Sequence, residues 1–171
     1  MDPANTSDDA EWDRDARDET PTERLDRNWT DLLQELRVVQ TGVQLLTGFL
    51  LTLPFQARFA TLDSFQQNVY LITVILAVCS TSFLIAPVSL HRLLFRRHAR
   101  AKMVEVAHRL ALTGMTLLGA SLVGVVLLIF DVVRGRTAGF VAAGLVALVV
   151  VGLWVALPLA LRREAGRTRR P

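Results

Sequence analysis

The sequence predicts an all-α polytopic membrane protein, with four transmembrane helices preceded by an N-terminal amphipathic helix at the membrane interface. Three observations carry that prediction. Four apolar stretches, Val38 to Phe59, Asn68 to Leu90, Leu110 to Val133 and Ala138 to Leu161, are each long enough to cross a bilayer, since about 20 residues rising ~1.5 Å apiece cover the ~30 Å hydrocarbon layer. The chain has only 171 residues, 51% of them hydrophobic, so a soluble fold would lack the polar surface to cover four such helices. Charge is also segregated: residues 1 to 35 hold twelve acids against four bases, and the remainder holds fifteen bases against four acids.

Residues 1–19 are polar, acidic and poor in branched apolar side chains. Such a segment buries too little surface to offset the entropy of ordering, and a disordered acidic tail is expected. Acids rather than a short basic region precede the first apolar run, so no secretory signal is read and the first span is expected in the mature protein. Thr20-Pro21-Thr22-Glu23 reads as a helix start, with a capping threonine, a proline at the first helical position and a glutamate three residues after the cap. Within 20–37, Leu25, Trp29, Leu32, Leu33 and Leu36 recur at helical spacing, with charged residues on the other faces. That stripe fits a helix lying at the membrane surface with Trp29 at headgroup depth, and equally an extension of span one.

The transmembrane domain is assigned to 38–161. Span one carries Gln40, Gln44 and Thr47 on one helical face, and that face is expected to look into the bundle, where carboxamides find partners. Pro54, Pro87 and Pro158 are expected to bend spans one, two and four. Ser64 and Gln67 are spaced as a capping box for span two, and Phe55, Phe59, Phe65 and Tyr70 gather around this connection as aromatics do at a bilayer interface. The short DVVRGRT segment makes spans three and four antiparallel neighbours. Gly139, Ala143 and Ala147 on span four are expected to meet a notch at Ala120 and Gly124 on span three.

Between spans two and three, residues 91–109 carry Arg92, Arg96, Arg97, Arg100, Lys102 and Arg109 against the single acid Glu105. A second basic run, 162–171, follows span four. The positive-inside bias therefore places both termini in the cytoplasm of a cell inner membrane, with 162–171 a basic cytoplasmic tail. Arg92, Arg96, Arg97, Arg100 and Lys102 are the expected contacts to anionic lipid headgroups, each such base contributing about 1 kcal/mol near the surface. Nucleic acid attracts the same charges, but no nucleic-acid-binding motif accompanies them here.

The chain offers no enzymatic motif, so no catalytic, cofactor-binding or metal residue is nominated. Cys79 is the only cysteine and reads as a small packing residue. His91, His98 and His108 all fall in the basic connection, and a seven-residue spacing separates the first two by about 10 Å of helix, too far for one shared ion. No Asp, Glu, Lys, Arg or His occupies the middle of a span, where an ion-coupled transporter normally needs one.

The stretches ELRVVQTGVQLLTGFLLTLPFQARF, residues 35–59, and IAPVSLHRLLFRRH, residues 85–98, resemble a family of small four-span actinobacterial membrane proteins of unknown function. Some of its members carry a sodium:proton antiporter label. On matching positions the resemblance points to Glu35, Arg37, Gln40, Gln44, Pro54, Gln56, Pro87, His91 and Arg92. Two functional readings follow. One is a non-enzymatic scaffold that binds a membrane protein partner or forms a homo-oligomer. The other is a small ion transporter using the polar face Glu35, Arg37, Gln40, Gln44 and Gln56.

Overall fold

The structure, a computed structural model, describes residues 21–94 and 100–161. The acidic tail, the basic tail and Arg96, Arg97 and His98 lie outside those residues. Among the described residues, four α-helices make up the fold: α1 at Pro21–Thr52, α2 at Ser64–Leu94, α3 at Arg100–Arg134 and α4 at Arg136–Val151, the last continuing through a π turn, Gly152–Ala156, to residue 161. Spans long and apolar enough to cross a bilayer lie at Leu33–Phe55, Ser64–Leu90, Glu105–Arg134 and Arg136–Leu161.

Pro21 occupies the first helical position, where its missing N–H costs nothing. The helix that follows runs 32 residues without a break, a rod of roughly 48 Å. Residues 21–37 continue into span one within this single helix, the continuity expected of an extension of that span. Pro54 ends this helix instead of bending it: α1 stops at Thr52, and two 3-10 turns, Leu53–Phe55 and Ala57–Thr61, lead to α2. Pro87, by contrast, lies inside an uninterrupted α2.

The cap of α2 sits one residue earlier than Ser64 and Gln67 imply. The Gln66 backbone N–H donates to Asp63 Oδ1 at 2.8 Å, and the Asp63 N–H donates to Gln66 Oε1 at 3.0 Å. Asp63 thus closes the reciprocal box, and its carboxylate also complements the positive end of the helix dipole.

The contact faces repeat every seven residues, in alternating three- and four-residue steps on α2, the spacing of helices packed nearly in line. On α1 the buried positions are Leu36, Val43 and Leu50; on α2 they are Tyr70, Thr73, Ala77, Ser80, Leu84 and Pro87. On α3 they include Ala107, Ala111, Ser121 and Leu128. Leu36, Val43, Leu84 and Ala111 form one apolar cluster, and Leu50, Tyr70, Ala77 and Leu128 form the other.

Small residues let α2 and α3 approach closely. A Cβ placed on Gly114 would stand 2.7 Å from Leu84 Cγ and 3.2 Å from its backbone nitrogen, and one on Gly124 would strike Thr73. Gly124 therefore receives α2, and Ala120 is exposed, so this pair is not the notch for α4. Gly119 is, lying against Val150 and Trp154. At 100° per residue, adjacent positions face different neighbours, and this separates Gly119 from Ala120. Gly139 and Ala143 are buried as expected, with Gly139 against Leu127 and Asp131 of α3.

Candidate functional site

Polar side chains within this apolar fold group into an interhelical set, an ionic cluster at one end, and an outward face on α1. In the first set, four side chains bond carbonyls of neighbouring helices. Ser80 Oγ donates to the Gly114 carbonyl at 2.7 Å and Ser121 Oγ to that of Thr73 at 3.3 Å, fixing α2 against α3. Tyr70 Oη donates to the Leu50 carbonyl at 3.0 Å, with its ring edge-on to Phe59 at 5.0 Å. Gln40 Nε2 donates to the Leu84 carbonyl at 2.7 Å. That carbonyl lies three residues before Pro87, whose missing N–H leaves the adjacent Phe83 carbonyl without its helical donor.

The second group joins the connection before α2 to the junction of α3 and α4. Gly135, with φ of 90°, is the whole connection between those helices; the left-handed conformation suits glycine and lets the chain reverse at once. Its N–H bonds the Asp131 carbonyl at 2.9 Å, and its carbonyl accepts from Gly139 at 3.1 Å. Arg136 consequently starts α4, an unfavourable place for a cation on dipole grounds. Two carboxylates offset it. Arg136 Nη2 donates to Asp63 Oδ2 at 2.8 Å, and its Nε lies 3.3 Å from Asp131 Oδ2 and 3.4 Å from Oδ1. The guanidinium also stacks 3.7 Å over the Phe65 ring, which packs on Phe140 at 6.0 Å. Asp131 is the buried member, its side chain 4% exposed, and Oδ2 makes an ionic contact without a well-aligned hydrogen bond.

The third group revises the expected polar face of span one. Gln40 faces α2, but Gln44 is exposed on the surface of the chain and has no hydrogen-bond partner among the described residues. The reason is helical phase: α1 is buried along Leu36, Val43 and Leu50, and Gln40 stands roughly 60° from Val43 while Gln44 stands roughly 100° away on the other side of Gln40. Thr47 is half-buried and bonds the Val43 carbonyl of its own helix at 2.8 Å. Glu35, Arg37 and Gln56 are exposed, and Glu35 and Gln56 are separated by roughly 30 Å along the chain axis. The five residues do not converge on one site.

Of the expected headgroup contacts, Arg92 falls in the last turn of α2, and Arg100 and Lys102 in the first turn of α3. Their backbones bring both basic helix ends to the same side of the bundle, opposite the Asp63–Arg136–Asp131 cluster. That cluster escaped sequence reasoning because Asp63 and Arg136 are 73 residues apart. Its local trace was an arginine at the start of a helix, beside an aspartate ending a span.

Four apolar spans around an interhelical hydrogen-bonded core define a multi-pass helical membrane protein. The profile of the Family of unknown function (DUF6328) matches residues 18–158, and the chain belongs to that family. Neither a curated protein nor a solved structure matches it.

Proposed function

We propose that this protein is a non-enzymatic membrane scaffold that binds another transmembrane segment through α1. The reading rests on Gln44. It is the middle residue of the span Leu33–Phe55, it is exposed, and it bonds nothing among the described residues. A carboxamide at that depth has no water to bond, and interhelical hydrogen bonding is what stabilises such a group in a bilayer. A photo-activatable residue replacing Leu51, exposed on the same side of α1, tests the reading in intact cells. A discrete protein adduct is expected. Labelling of lipid alone would overturn it.

We also propose a location in the cell inner membrane of an actinobacterium with both termini cytoplasmic. In that orientation Arg92, Arg96, Arg97, Arg100 and Lys102 meet anionic headgroups, consistent with the positive-inside bias. A second reading, a small ion transporter akin to sodium:proton antiporters, draws on Asp131, a buried carboxylate with an incompletely bonded oxygen. Sodium-driven proton flux in proteoliposomes, lost on Asp131→Asn, would favour that reading over the scaffold.

A further inference from the structure

We infer that the segment docked on α1 is α1 of a second copy of this chain, the two helices running parallel about a two-fold axis along the membrane normal. The inference rests on the reading of α1 as a docking face and names its occupant. Thr41, Gln44, Gly48 and Leu51 are all exposed on α1. They follow one another at three- and four-residue steps, the spacing by which a helix seats along a partner helix. This seam lies beside the one formed by Leu36, Val43 and Leu50, which faces α2 and α3. At Gly48 an added Cβ would meet nothing within 4 Å, so a second backbone can come close there, one turn from Gln44.

Gln44 shows that this face takes protein. Among the described residues, the exposed hydroxyls away from the span ends are satisfied locally: Thr41 bonds the Arg37 carbonyl at 3.0 Å, Ser82 that of Val78 at 3.0 Å, Thr113 that of Arg109 at 2.9 Å and Thr116 that of Leu112 at 2.9 Å, whereas Ser89 and Thr137, at span ends, make no such bond. Gln44 has no such bond. Its position lies roughly 16 Å of helix from either end of the span, beyond the reach of the side chain to headgroups or water.

Identity of the occupant follows from depth. Copies of one chain insert with the same topology, so their first spans run parallel and place Gln44 opposite Gln44 at one level. A carboxamide carries both donor and acceptor, and two of them satisfy each other across a two-fold axis. The charge in this register, Arg37, is exposed near the water end of the span, where like charges diverge into the headgroups.

Two measurements test the dimer. Cys79 is the chain's only cysteine, so Gly48→Cys and Phe49→Cys are each placed in a Cys79→Ala background and oxidised in native membranes. Phe49 is 72% exposed but points away from the seam. Expected is a covalent dimer of the chain forming at least ten times faster from Gly48→Cys than from Phe49→Cys. Equal rates at the two positions would mean random collision and overturn the inference. An adduct of Gly48→Cys with a different protein would also overturn it, while leaving α1 as a docking face. Absence of any protein adduct, here and with the photo-activatable residue at Leu51, would remove both readings. In the second measurement, energy transfer between labelled copies is followed as liposomes are diluted with lipid. Gln44→Leu is expected to weaken association roughly 3- to 30-fold and Gln44→Asn to retain most of it. Wild-type protein that stays monomeric at every dilution would refute the dimer without recourse to any variant.

Discussion

α2 and α3 form the interior of this protein, and α1 only leans on it. In the most apolar part of each span, 28% and 22% of residues are buried in α2 and α3, against 11% in α1 and 6% in α4. The central pair is held along its length: glycines at 114 and 124 admit side chains of α2, and Ser80 and Ser121 bond across. α1 is bonded at two levels, Gln40 to Leu84 and Leu50 to Tyr70, with Gln44 between them facing outward. α4 is also bare, yet its exposed span, including Leu145, Leu148, Val149 and Leu153, is apolar and compatible with lipid. Exposure in a bilayer therefore says little by itself. The chemistry of what is exposed distinguishes a lipid face from a protein face.

The largest expected effect lies in the cluster that joins α2, α3 and α4 but leaves α1 out. Arg136→Met strands Asp131 as a buried carboxylate without its cation, and a detergent unfolding measurement should show a loss of about 3 to 5 kcal/mol. A loss below about 1 kcal/mol would mean that water already reaches Asp131. Next comes the contrast between two glycines. Gly114→Leu, at the α2–α3 contact, is expected to cost about 1 to 3 kcal/mol through overpacking, whereas Gly42→Leu enters space with nothing within 4 Å and should leave the midpoint nearly unchanged. Equal effects would break the distinction between core and periphery. Ser80→Ala removes one interhelical bond and should cost about 0.6 to 1.7 kcal/mol by the same measurement. The smallest effect is expected at Gln44. In the detergent-dispersed monomer, Gln44→Leu should shift stability by no more than about 0.5 kcal/mol, while Gln40→Leu loses the bond to Leu84. A monomer strongly destabilised by Gln44→Leu would turn that residue back toward the bundle.

The spans were legible because a bilayer imposes one length and one polarity on any helix that crosses it. Helical phase was harder to read. Gln40 and Gln44 differ by roughly 40° around α1, and a pattern of one inward and one outward carboxamide is decided by α2, not by residues near them. The same limit applies to Gly119 and Ala120, where a single step chooses between α4 and open surface. At the start of α2, Ser64 and Asp63 both have oxygens suited to a cap, and the reciprocal bonds with Gln66 select the aspartate. The Asp63–Arg136–Asp131 cluster depends on tertiary folding, which brings an arginine at a helix start against two carboxylates and an aromatic ring.

Gly135 gives the α3–α4 pair a mechanical character of its own. With a single residue between them, the two helices cannot slide past one another or exchange register at that end. They can open only as the legs of a pair of compasses do, with least displacement beside Arg136 and more where Gly119 meets Val150 and Trp154. Any widening of this hairpin is thus felt toward the end of the bundle opposite Gly135, while the ionic cluster stays at the pivot.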